Sequence, residues 1–271
     1  MDEKIDPAEL MRQYRADRGD IFSEVDLMAR EIPNTVHLLH RSAGYLLVNK
    51  NHGSSDQLLS VQMRELIATA HLAAKGAERF APNHVRRLYR LGVTNRVILE
   101  AAEGVAPLLG HSAILHTAKA ITDANDPAYP VGDLPPGGEP KELAPFPELE
   151  LGRDRQQPVE ERLLDTPEWR VAASLDPEFA SRSSAFVDHC LGIGRKDTML
   201  LGPGIRTMVA ATAACVRGRV DSAAGLIRRA YAYGLDRRRV FEAICVTMNM
   251  TGAETVKIGV AALEKADGPP A

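Results

Sequence analysis

Glu65 and His84 are two side chains that can exchange protons and that stand on otherwise apolar helical faces. At the ~100° step of a helix, Glu65 shares a face with Ala68 and Leu72, and His84 with Leu88 and Leu91. A carboxyl group in apolar surroundings must find a partner or stay neutral. An imidazole beside it can relay or accept its proton. Such a pair can serve as general acid and base. The spacing also permits a structural account of each, with His84 a satisfied core histidine and Glu65 the cap of a neighbouring helix.

Other polar residues stand close by. Arg64 could clamp a substrate carboxylate, or could bridge to Glu100 between helices. His71 lies ~240° around the helix from Glu65. His111 follows Gly110, and His116 points elsewhere. Glu65, His84 and His111 have ligand chemistry, but no HxxxH or HxH spacing supports a metal, and none is expected. Cys190, Cys215 and Cys245 are odd in number, far apart and without a CxxC, which argues against a disulfide framework and a structural zinc. With 33 Lys and Arg against 36 Asp and Glu, the chain lacks the basic excess of a nucleic-acid-binding protein. No stretch approaches the ~20 apolar residues of a membrane span. The charged N-terminus lacks a signal-peptide run. A cytoplasmic protein with a small-molecule partner, and with neither nucleic acid nor membrane, is expected.

The elements that must position these residues come in two copies. Shifted by 142 positions, the sequence matches itself without a gap from about Leu58 to Ile121. Arg64 falls on Arg206, Arg86-Arg87 on Arg228-Arg229, Gly92 on Gly234, Glu100 on Glu242 and Gly110 on Gly252. Copies of one helical unit usually bury their apolar faces against each other. The recurrence argues that Arg64 and Glu100 serve the fold, and a bridge between them would explain both. The copies differ where chemistry would sit: Glu65 becomes Thr207 and His84 becomes Leu226.

Asp6-Pro7 opens a short helix that stops near Gly19, and a second runs from about Asp20 to Arg30. Leu38, Leu39, Ala43, Leu46 and Leu47 form an apolar stripe. Helices follow from Gln57 to Lys75 and from Pro82 to Gly92, with Thr94 and Ser112 capping the next two and Asp236 repeating the cap. No alternating strand is present, so the fold class is all-α: two tandem helical units forming a pseudo-twofold pair. Between the copies, Thr122 to Glu168 holds nine prolines. That density forbids a long helix and favours an extended strap, lid or tether. Its Leu134, Leu143, Phe146, Leu149 and Leu151 suggest partial docking. The expected organisation is an N-terminal helical extension (1–32), a first unit (33–122), a Pro-rich linker (123–168), a second, degenerate unit (169–265) and a tail (266–271).

The segment from Arg64 to His111 resembles the carboxymuconolactone decarboxylase and alkyl hydroperoxidase D-like superfamily. The pattern is an Arg-Glu-Leu-Ile helix, a turn, a His-bearing helix ending in Gly, then a capped helix with a Glu and a distal Gly. The resemblance implies a small α-helical fold that assembles into rings, often trimers of paired units, and hence a homo-oligomer. Its peroxidase branch uses a Cys pair, but Ala77 and Phe80 occupy those positions and Arg79 that of the relay His. Without a thiolate no nucleophile attacks a peroxide, so a thiol peroxidase is not expected. Its decarboxylase branch needs neither thiol nor cofactor. It must stabilise the enolate-like anion left by CO2 and protonate the correct carbon.

Carried over position by position, the resemblance makes Glu65 the general acid/base and His84 its relay. Glu78 and His111 become substrate-binding candidates, beside Arg64 and His71, which are candidates from their own chemistry and position. The branch's additional His in the turn is missing, because that turn reads Glu78-Arg79-Phe80, which points to a different carboxylated or lactone-like substrate. The expected activity is a cofactor-independent, decarboxylase-like lyase. The alternatives are a non-catalytic binding or assembly protein on the same scaffold, or a hydrolase or isomerase using the same pair.

Overall fold

Helix after helix, the chain begins and ends its elements at proline, glycine and capping side chains. The computed structural model describes residues 5–18, 23–47, 57–77, 79–126, 138–151, 163–164, 166–194 and 199–268. Asp6 Oδ1 accepts the Ala8 N–H at 3.0 Å and starts α1 (Pro7–Arg18). A helical hairpin follows, α2 (Ser23–Glu31) and α3 (Pro33–Leu47). The first unit holds α4 (Val61–Ala74), α5 (Ala81–Arg90), α6 (Asn95–Leu109) and α7 (Ser112–Asn125). A second hairpin, α8 (Pro167–Leu175) and α9 (Pro177–Cys190), precedes α10 (Pro203–Val216), α11 (Val220–Ala232), α12 (Arg237–Thr251) and α13 (Ala253–Asp267). Among the described residues there is no strand, and the fold is all-α as the sequence predicts.

Helices α4 and α10 begin and end 142 residues apart, and so do α6 and α12. The repeat also reaches further than the gapless overlay shows. Helices α2 and α8 begin and end 144 residues apart, and α3 and α9 begin at the same offset. A two-residue change of offset before the first core helix hides the hairpins from an ungapped match.

The units pack crosswise, α6 on α10 and α4 on α12. Glu100 Oε2, on α6, accepts the Leu200 and Leu201 N–H groups at 2.9 and 2.8 Å. Glu242 Oε2, on α12, accepts the equivalent Leu58 and Leu59 N–H groups at 2.9 and 3.0 Å. Each carboxylate thus receives the backbone leading into the other unit's first core helix, where donors have no intrahelical partner. The expected bridge of Arg64 with Glu100 forms across the units instead. Arg206 meets Glu100 at 2.9 Å and Glu103 at 2.6 Å. Arg64 lies among the carboxylates of Glu242, Glu65 and Glu148.

Several boundaries differ from the sequence reading. The helix expected from Gln57 starts at Val61, because Ser60 Oγ caps it by accepting the Met63 N–H at 3.1 Å. In α3 the buried residues are Val36, His40, Gly44, Leu46 and Leu47, so the stripe's Leu46 and Leu47 are buried while its Leu38 and Leu39 are exposed. Val36 joins Leu10, Met11 and Ala29 of α1 and α2 in a small separate core, and Leu46 and Leu47 belong to the main one. Ser112 is the first residue of α7 rather than its cap, and α7 continues past Ile121 to Asn125. Thr94 stands at the N-cap of α6 without a side-chain cap bond, whereas Asp236 accepts the Arg239 N–H at 2.8 Å.

The described part of the Pro-rich strap is docked. Phe146 and Leu149 are buried, and Glu148 accepts the Ser60 N–H at 2.7 Å and the Ser60 hydroxyl at 2.6 Å. Leu134 lies outside the described residues. At the end of α5, Gly92 has φ +77°, and a Cβ there would stand 2.4 Å from the Ala144 Cβ. Gly92→Ala therefore meets both a left-handed backbone and a steric clash with the strap. A loss of about 1–3 kcal/mol in denaturant unfolding is expected; unchanged stability would show that the strap is not held there.

Candidate active site

Two consecutive helices carry the pair. Capping by Ser60 fixes the first turn of α4, and Glu65 follows in its second turn. The turn after Ala74 returns the chain so that α5 packs along α4. Glu65 Oε2 and His84 Nδ1 lie 2.6 Å apart, with the side chains 1% and 12% exposed. The sequence expectation that these residues meet is what the structure shows. A bond of that length between carboxylate and imidazole is charge-assisted, and one proton can pass between them. Nδ1 is committed to the carboxylate, so exchange with a substrate falls to Nε2.

Arg87, one turn after His84, was not singled out by the sequence reading. Its Nη1 lies 3.8 Å from Glu65 Oε1 and 3.5 Å from both ring nitrogens of His84. The i, i+3 spacing from His84 was the available signal. Recurrence as Arg229 disguised it as framework.

The other candidates lie elsewhere. Arg64 is buried, and burial lowers its pKa against the opposing pull of Glu242, Glu65 and Glu148; it sits in the junction between the units. His71 is fully buried on α4, and its Nε2 lies 2.8 Å from Thr212 Oγ1 on α10. His111 is exposed at the N-cap of α7. Glu78 lies outside the described residues. Of the six residues expected at the site, the structure brings Glu65 and His84 into contact, with Arg64 as Glu65's chain neighbour.

Burial, reinforced by the charge of Lys75, lowers the His71 pKa from 6.5 to about 4. A histidine kept neutral in the fold binds fewer protons there than in the unfolded chain. Its contribution is complete above pH 6.5 and is lost as pH falls from 6.5 through about 4. The acid limb should carry on the order of 3 kcal/mol from this residue. In His71→Gln, unfolding followed against pH should lose that slope, and an unchanged slope would contradict the assignment.

Burial also raises the Cys215 thiol to about 12 and the Cys245 thiol to about 11. Neither offers a thiolate near neutrality. In the second unit, Thr207 and Leu226 are buried where Glu65 and His84 would be, and the Arg229 guanidinium lies 5.9 Å from the centre of the Tyr233 ring. A cleft lies between the end of α4, the start of α5 and α7. It is lined by Ala73, Ala77, Ala81, His116, Lys119 and Asp123 among others, and by neither Glu65 nor His84.

Residues 44–123, from late α3 through α7 and including both members of the pair, match the model of the Carboxymuconolactone decarboxylase family. The resemblance read from the first unit is thereby shown for that segment. Over almost the whole chain, the fold is similar to that of a crystal structure from Burkholderia xenovorans LB400, of a protein described provisionally as a gamma-carboxymuconolactone decarboxylase subunit. The TM-score is 0.57, with 97% of this chain and 96% of that chain covered at 19% identity. At that identity the likeness is one of fold. No curated protein sequence matches the chain. Among the described residues, no helix is long and apolar enough to cross a membrane.

Proposed function

We propose that the first unit is a cofactor-independent lyase of decarboxylase type, acting on a small carboxylated or lactone metabolite. The supporting observation is the Glu65–His84 contact at 2.6 Å, almost closed to solvent, inside the segment that matches the decarboxylase family. In the proposed reaction the carbon–carboxylate bond breaks, CO2 leaves, and the electron pair stays on an enolate-like fragment. His84 delivers a proton from Nε2 to the carbanionic carbon, while Glu65 holds Nδ1 and supports the positive ring. Solvent then restores the proton. The Arg87 charge beside the pair would stabilise the anion as it develops.

One observation favours a second reading, a non-catalytic binding protein: the cleft beside α7 excludes the pair. The deciding experiment offers gamma-carboxymuconolactone and a panel of carboxylated lactones, and measures CO2 release together with melting temperature. Release that depends on Glu65 and His84 supports the lyase. A ligand-induced rise in melting temperature without release supports the binding protein. The same reading carries a homo-oligomer of two-unit chains, for which light scattering should give a mass near that of a trimer.

A further inference from the structure

The duplicated architecture works as an internal comparison. Polar residues that hold the junction between the units recur in the second unit, as Arg64 does in Arg206 and Glu100 in Glu242. At the candidate site Glu65 becomes Thr207, His84 becomes Leu226, and Asn83, the residue before His84, becomes Gly225. The third loss is unaccounted for by the pair. Packing does not impose it either, because a Cβ built on Gly225 meets no heavy atom within 4 Å.

Asn83 is 1% exposed, and neither its amide nitrogen nor its amide oxygen has a hydrogen-bond partner. Buried side-chain amides are nearly always bonded, so one left without partners on both atoms calls for a cause. Its place on α5 supplies one. Ala81, Val85 and Leu88 form the core stripe of that helix. Asn83 stands at the edge of the buried arc of that helix, one residue and about 100° before His84 and about 40° around from Arg87. Arg87 is the residue 3.8 Å from the Glu65 carboxylate.

We infer that Asn83 contacts the substrate, its carboxamide donating a hydrogen bond to an anionic oxygen of the ligand held at Glu65 and His84. Arg87 and Asn83 then form the charged and neutral halves of one receptor for a small carboxylate. The amide is retained without partners because the ligand provides one. This rests on the proposed function in that the ligand occupies the same pair, but binding can be read without turnover.

The probe is the six-carbon dicarboxylate cis,cis-muconate, with its dimethyl ester as the uncharged counterpart. Affinity is measured by calorimetry on the full chain and on Asn83→Leu, Asn83→Asp and Glu65→Gln. Muconate should bind the unmodified chain, and the ester should not. Asn83→Leu should melt no lower than the unmodified chain, since it removes a buried amide that has no partner, yet bind muconate at least about ten-fold more weakly. Asn83→Asp should bind more weakly as well, through charge repulsion. Glu65→Gln should retain binding while losing any turnover.

Undiminished affinity in Asn83→Leu overturns the inference. So does equal binding of the ester, absence of muconate binding by the unmodified chain, or a lowered melting temperature in Asn83→Leu with affinity intact. Should no acid be decarboxylated while muconate binding still depends on Asn83, the lyase reading fails and the receptor stands.

Discussion

Glu65→Gln is expected to lower the proposed decarboxylation about 10²–10⁴-fold, the usual share of a positioned proton-transfer group. The amide keeps the size of the acid and can still accept a hydrogen bond from His84 Nδ1, so the 2.6 Å contact can persist in shape. What is lost is the negative charge that supports a protonated ring and the oxygen that can exchange the proton. His84→Gly should fall by a similar factor, and added imidazole should restore part of the rate by occupying the vacated space beside the carboxylate. Restoration by imidazole in His84→Gly but not in Glu65→Gln would separate chemistry from damage to the fold. Circular dichroism should show both variants folded. Full activity in either variant would remove the proton-transfer mechanism.

The pairing of Glu65 with His84 was legible in the sequence because both residues interrupt apolar faces and neither recurs in the second copy. The all-α class and the duplicated helix grammar were legible for a related reason. Glycines at Gly92, Gly110, Gly234 and Gly252 adopt positive φ at the helix ends, where the backbone excludes most other residues. Partner choice between units was not legible. Sequence distance favours Arg64 with Glu100, but crosswise packing gives Glu100 to Arg206. Recurrence identifies residues that serve the framework without telling which copy they serve. The exposed Leu38 and Leu39 failed for a similar reason: α1 covers the neighbouring face of α3, and nothing in the α3 pattern announces which stripe α1 will take. Arg87 and Asn83 were missed because one recurs and the other carries no titratable group.

Arg206→Met is expected to destabilise the chain by about 3–5 kcal/mol, the largest effect on stability among the residues considered. The guanidinium is fully buried. Nε donates to Leu201 O at 3.0 Å and Nη1 to Cys190 O at 3.0 Å, and the ion pairs with Glu100 and Glu103 stand at 2.9 and 2.6 Å. Methionine fills a similar volume, so the loss is electrostatic. It removes the Arg206 donors from two carbonyls and leaves the Glu100 carboxylate with Arg96 and two N–H groups. Burial raises the Glu100 pKa, but Arg96, the Leu201 N–H and Arg206 outweigh it and hold the carboxyl below its ordinary 4.5. Its contribution is therefore present above pH 4.5 and is lost as pH falls below that value. Without Arg206 the balance moves toward the neutral acid, so the deficit of Arg206→Met should shrink as the pH is lowered. Adding Glu100→Gln to Arg206→Met should recover part of the loss, since the uncompensated charge is removed with its partner. Denaturant unfolding of the two single variants and the double variant measures the coupling directly. A loss within about 1 kcal/mol, the range of a surface ion pair, would mean that the junction between the two units is held by apolar packing and that the reciprocal carboxylates are incidental to it.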